Sequence, residues 1–133
     1  MAAPLLHEIF AGVARRTPDR VAIEVPPGAR RPARTVVTYA EVARRSAALA
    51  AVVRPSVTEA DRIGVVLLPR ASEHLYIAQL AMLEAGAAFT CIDPAFPDAQ
   101  IQTILADADP VIVLTDAAGL TRLAGLGIGV PTI

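Results

Sequence analysis

The residues best placed to do chemistry are Asp93-Pro94 and the nearby Phe96-Pro97. A carboxylate on a proline-restricted loop after an apolar run could face a ligand, because α/β proteins bind ligands at the carboxyl ends of strands. The plainer reading is a turn that sets the angle between a strand and a helix, and it accounts for the same prolines. His7 and His74 lie most of the chain apart, neither with a second ligand at metal spacing, so surface or capping roles are expected. Cys91 sits in an apolar run without a basic neighbour to lower its pKa and reads as a structural thiol. Tyr39 and Tyr76 read as packed aromatics. The glycines at 125, 127 and 129 fall between a helix and a strand, whereas a phosphate loop needs strand, loop and helix in that order. These readings assign no catalytic, cofactor-binding or metal-binding residue to the chain.

The charged residues narrow the chemistry further. All 12 basic residues are arginine. Phosphate and acyl-adenylate reactions often use a side-chain amine, and this chain cannot supply one. The formal net charge of -1 offers no basic excess for nucleic acid. A single cysteine rules out an intrachain disulfide and every multi-cysteine zinc pattern. The apolar start carries Glu8 and lacks the basic opening of a signal peptide, and no stretch reaches membrane-spanning length without a charge or proline. The expectation is a soluble, cytoplasmic protein with no nucleic-acid or membrane partner.

Elements must hold these residues in place. Leu5, Leu6, Ile9, Phe10 and Val13 predict an amphipathic helix over 4–16, ended by Thr17-Pro18-Asp19. Short strands follow over 20–25 and 35–37, joined by a proline-rich loop. Thr38 and Glu41 have the spacing of a capping box, opening a helix with Val42, Leu49 and Val53 inward and Arg44 and Arg45 outward. Residues 55–59 read as a linker. Arg62 to Leu68 is a continuous apolar run, the mark of a strand buried on both faces. Ser72 caps a helix that is apolar nearly all round and ends at Gly86, and a strand runs over 87–92. Pro97 opens the next helix, with Ile101, Ile104, Leu105 and Ala108 inward. A strand over 111–114, a helix capped by Asp116 and a strand over 130–133 complete the order. Alternation from residue 62 onward predicts an α/β fold, a parallel sheet covered by helices with right-handed crossovers.

Two segments carry a family resemblance. Val37-Thr38-Tyr39-Ala40-Glu41-Val42 resembles the first core motif of the amino-acid adenylation domains of nonribosomal peptide synthetases, usually Leu-Thr/Ser-Tyr-x-Glu-Leu. Residues Leu83 to Pro94 (LEAGAAFTCIDP) resemble the second, usually Leu-Lys-Ala-Gly-x-Ala-Tyr-x-Pro-x-Asp-Pro. The likeness extends over almost the whole chain, and its Gly-Ala-Ala-Phe and Asp-Pro-Ala-Phe-Pro wording is closer to the amino-acid-activating branch than to acyl-CoA ligases. Glu84, Cys91 and Gln100 depart from it, standing where Lys, Pro and Arg are common.

The resemblance implies that residues 1–133 are a partial adenylation domain, the first part of the large N-terminal subdomain of an adenylate-forming enzyme. Residues 1–60 form a helix, short strands and a helix; 62–133 form the alternating unit. It implies a parent that uses ATP and magnesium to form an aminoacyl-adenylate and passes the acyl group to phosphopantetheine on a carrier domain. The groups that bind ATP follow this segment in the family, so no cofactor is expected in this chain and no activity from it alone. Its expected partners are the remainder of the domain and the carrier. Two alternatives are a self-associating or partner-binding module, forming a homo-oligomer through an exposed sheet edge, and a fragment of an acyl-CoA ligase-like enzyme.

Overall fold

The computed structural model describes residues 2–58 and 62–128. Helix α1 (Leu6–Arg16) leads into a hairpin of β1 (Val21–Val25) and β2 (Thr35–Thr38), then α2 (Tyr39–Val53) and a 3-10 turn over Arg54–Ser56. From there β3 (Ile63–Leu67), α3 (Glu73–Glu84), β4 (Ala88–Ile92), α4 (Asp98–Ala108), β5 (Val113–Thr115) and α5 (Ala117–Gly125) alternate. The second sheet has the order β4-β3-β5, and both pairings are parallel. The α/β class and the helix-covered parallel sheet read from the sequence are therefore present. The strand expected over 130–133 and the last glycine of the 125–129 run lie outside the described residues.

β3 holds the layers together. Val65 and Leu67 pack on one face with Ile92, Val113, Ile101 and Leu105, under α4 and α5. Val66 and the following Leu68 pack on the other with Val53, Ala78 and Met82, under α2 and α3. A third cluster joins Ile23, Val25 and Val37 of the hairpin to Val42 and Ile77. α2 and α3 thus lie between the sheet and the hairpin. That explains why α3 lacks a polar stripe: Ala78 and Met82 face the sheet while Ile77 faces the hairpin.

Local chemistry sets the helix ends. Ser72 Oγ accepts from His74 N–H at 3.2 Å, and Asp116 Oδ1 accepts from Gly119 N–H at 2.8 Å, each satisfying a first-turn donor. Gly86 stands at φ 87° after α3. There its N–H reaches Leu83 O at 3.0 Å and Ala87 N–H reaches Met82 O at 3.1 Å, the double bond pattern that favours a residue without Cβ.

Several expectations are corrected. α1 begins at Leu6, where Glu8 Oε2 accepts from Leu5 N–H at 2.8 Å. Leu5, Leu6 and Ile9 are exposed, and the packing side is Phe10 and Ala14. The capping box at Thr38 is half formed: Glu41 N–H donates to Thr38 Oγ1 at 3.3 Å, but the carboxylate turns away to Arg44 (2.6 Å) and Arg45 (2.7 Å). Two charged donors outcompete one backbone N–H. Pro55 and Ser56, read as the start of a linker, belong to a 3-10 turn over Arg54–Ser56 that winds on from α2, with Pro55 in its first turn, where a missing N–H costs nothing. β5 starts at Val113 rather than 111, although Val111 N–H still reaches Ile63 O at 2.9 Å.

A Cβ on Gly119 would lie 1.8 Å from Thr115 Oγ1, a hydroxyl that donates to Leu67 O at 2.8 Å. Gly119→Ala is therefore expected to lower unfolding stability by about 1–3 kcal/mol in urea denaturation. Gly125, open on all sides, should accept alanine with a change of about 0.5 kcal/mol or a small gain. Hydrogen bonds from Arg44, then Arg45, hold the Glu41 carboxyl down at about 2. A depressed folded-state pKa contributes stability above the ordinary carboxylate range and loses it as pH falls from about 4.5 toward 2. NMR titration of the Glu41 carboxyl should show that low midpoint, and replacing both arginines with alanine should return it toward the ordinary range.

Candidate functional site

The carboxyl ends of β3, β4 and β5 form one edge, the place where α/β sheets carry their ligand groups. Three loops leave it. After β3, Leu68 is buried and Arg70 is exposed. After β4 comes Asp93 to Pro97, and after β5 the chain turns at Asp116 into α5.

Asp93, the most suggestive residue in the sequence, is committed locally. Its Oδ1 accepts from Ala95 N–H at 2.9 Å, its carbonyl accepts from Phe96 N–H at 3.0 Å, and its Oδ2 meets Arg70 Nε at 3.2 Å. This is the turn of the plainer reading. Arg122 of α5 was not flagged by the sequence. Its Nε donates to Asp98 Oδ1 at 2.8 Å, one terminal nitrogen donates to Phe96 O at 2.6 Å, and the other donates to Pro94 O. The acceptors are 24 to 28 residues away in sequence, so no local pattern reveals the pairing.

Between β3 and β5 the edge opens into a cavity of about 330 Å³, with Leu68, Ile77, Ala78 and Leu114 among its walls and His74, Thr115 and Asp116 at its polar side. Thr115 Oγ1 donates to Leu67 O, and Asp116 Oδ1 is taken up by the cap of α5. His74 is exposed, 3.6 Å from Glu73 Oε1, and Glu73 also meets Arg31 at 3.5 Å. Partial burial pushes the Glu73 carboxyl up. Hydrogen bonding to its own backbone N–H, with His74 and Arg31 beside it, outweighs that and leaves it below its ordinary value. A larger groove of about 460 Å³ runs along the other flank of α3, lined by Phe10, Ile23, Tyr39, Tyr76, Gln79 and Phe89 among others.

The remaining candidates scatter. His7 is half-buried on α1, far in the fold order from His74. Tyr39 packs against Phe10 with ring centroids 5.7 Å apart, as a packed aromatic should. Tyr76 instead is 47% exposed on the groove. Cys91 is also exposed, because β4 is an edge of the described sheet; Gln79 Nε2 donates to its sulfur at 3.2 Å. Gly127, at φ 69°, closes α5 as Gly86 closes α3, so this glycine serves as a helix cap. Glu84, which stands where lysine is common, accepts from the buried Ser46 hydroxyl at 3.2 Å and joins α2 to α3.

Among the described residues no group of three or more His, Cys, Asp and Glu could hold a metal ion, and the chain has no lysine. Nor is any helix of the described residues long and apolar enough to cross a membrane.

Comparison with known proteins gives these features a setting. The sequence model of the family described as AMP-binding enzyme matches residues 10–127. AMB antimetabolite synthetase AmbB of Pseudomonas aeruginosa is 39% identical over 124 residues, which span 92% of this chain and 9% of that protein. The N-terminal subdomain of Klebsiella oxytoca NpsA superposes with a TM-score of 0.72 at 26% identity, over 96% of this chain and 30% of that one. The nonribosomal peptide synthetase FmoA3, in its α-methyl-L-serine-AMP bound form, superposes with a TM-score of 0.77 at 28% identity, over 99% of this chain and 14% of its own.

Proposed function

Because the chain belongs to the family of AMP-binding enzymes, we propose that it is the opening framework segment of an amino-acid-activating adenylation domain of nonribosomal peptide synthesis. In this reading residues 1–60 and 62–133 are two parts of one partial domain. The rest of that domain supplies the groups for ATP and magnesium, and a carrier domain with phosphopantetheine takes the activated acyl group. The observation that carries the reading is where the second motif falls. Leu83 to Pro94 runs from the end of α3 through the Gly86 cap and all of β4 into the Asp93 turn. Gly86 there caps a helix and Asp93 holds a turn. The relatives support the reading too: AmbB is named a synthetase, FmoA3 is a nonribosomal peptide synthetase carrying an aminoacyl-AMP ligand, and this chain spans a small share of each.

A chimera tests it. The matching segment of the AmbB adenylation region is replaced by residues 1–133, and amino-acid-dependent pyrophosphate exchange is measured. Exchange with the host's own amino acid is expected to persist with unchanged preference, whereas the isolated chain should show neither exchange nor a rise in melting temperature with magnesium ATP. A changed amino-acid preference, or tight ATP binding by the isolated chain, would refute the framework role.

A second reading, self-association, rests on β4. Among the described strands it pairs only with β3, and Ala88-Phe89-Thr90-Cys91-Ile92 carries no charge or proline to guard its outer edge. Light scattering of the isolated chain should show mass rising with concentration; a monomer at all concentrations counts against it.

A further inference from the structure

The loop between β4 and α4 has an internal shortage of hydrogen-bond donors. Of its five residues, Pro94 and Pro97 have no N–H. The N–H groups of Ala95 and Phe96 are both spent on Asp93, one on its side chain and one on its carbonyl. The carbonyls of Pro94 and Phe96 must therefore find donors outside the loop. A guanidinium carries five N–H groups in a fixed planar fork, more than any other side chain offers. Arg122 brings that fork to both carbonyls and to Asp98, the first residue of α4. Helical side chains tilt toward the helix N-terminus, which lets a residue late in α5 reach back to the carboxyl edge of the sheet. The arginine side chain is 29% exposed, so its bonds are only partly open to competing water.

We infer that Arg122 is the positioning residue of the Asp93–Pro97 loop, a latch from α5 that fixes the carboxyl end of β4 and the start of α4 relative to β5. Through that loop it also sets where Asp93 stands toward Arg70 of the β3 loop. The three loops of the carboxyl edge thus move as one unit. This inference needs no assumption about what the parent domain activates.

Hydrogen exchange followed by NMR tests the latch on the chain itself. In Arg122→Met, the amides of Ala95 and Phe96 should exchange at least about tenfold faster, the loss expected when charge-assisted bonds are removed. The Val66 amide of the central strand should change by no more than about threefold. Arg122→Lys, which keeps the charge without the fork, should recover less than half of the lost protection on a logarithmic scale. Asp98→Asn leaves both carbonyl contacts in place and should speed the loop amides by less than about threefold. Unchanged loop exchange in Arg122→Met would overturn the inference. So would equal acceleration of Val66 and the loop, full rescue by lysine, or an Asp98→Asn effect as large as that of Arg122→Met. If Arg122→Met does not fold, Arg122→Lys is compared with the unaltered chain: loop amides exchanging at least about threefold faster with Val66 unchanged are expected, and unchanged loop exchange overturns the inference.

Discussion

β3 is a strand with no wet side. Its edges pair with β4 and β5, and its faces are covered by α4 and α5 on one side and by α2 and α3 on the other. Every backbone group of such a strand must be satisfied within the protein, and every side chain must meet another. The two helices over one face leave an apolar outer surface, and the β1–β2 hairpin closes part of it through Ile23, Val25 and Val37. The layering is thus a chain of consequences: a fully apolar strand requires helices on both faces, and helices without a polar stripe require a further layer.

The polar interactions serve the same end. Ser46 with Glu84, Thr115 with Leu67, Arg31 with Glu73 and Arg122 with the β4–α4 loop each tie one element to another. At an active site one expects polar groups aimed at empty space, with donors and acceptors awaiting a ligand. Here, at the edge where a ligand would be sought, Asp93 bonds to its own loop and to Arg70, Thr115 Oγ1 to Leu67 O, and Asp116 Oδ1 to the cap of α5.

How much of this is legible in the sequence depends on the range of each signal. Ser72, Gly86 and Asp116 act within a few residues of themselves, so the helix ends they set can be read directly. The run from Arg62 to Leu68 declares burial on both faces by composition alone. Edge position is different: Cys91 looks as apolar in its neighbourhood as Val66, and only the pairing order exposes one and buries the other. The same holds for Leu5, Leu6 and Ile9, whose periodicity predicts a helix correctly but not which residues meet a neighbour. Glu41 has the right spacing for a capping box, yet the arginines one turn on take its carboxylate. Arg122 is an ordinary helix residue until the loop 24 to 28 residues earlier is folded against it.

The strand order has a consequence for synthesis on the ribosome. The central strand is also the first of its sheet to be made, and it emerges with both edges bare. Its pairing partner for Ile63 arrives at Ala88, and the partner for Val65 on the other side arrives at Val113. Translation runs at about 5–20 residues per second, so an apolar ribbon waits for seconds before its second neighbour exists. During that interval α3 can cover one face and α4 the other, while the second edge of β3 stays unpaired. Until then that bare edge is open to pairing with a strand of another molecule.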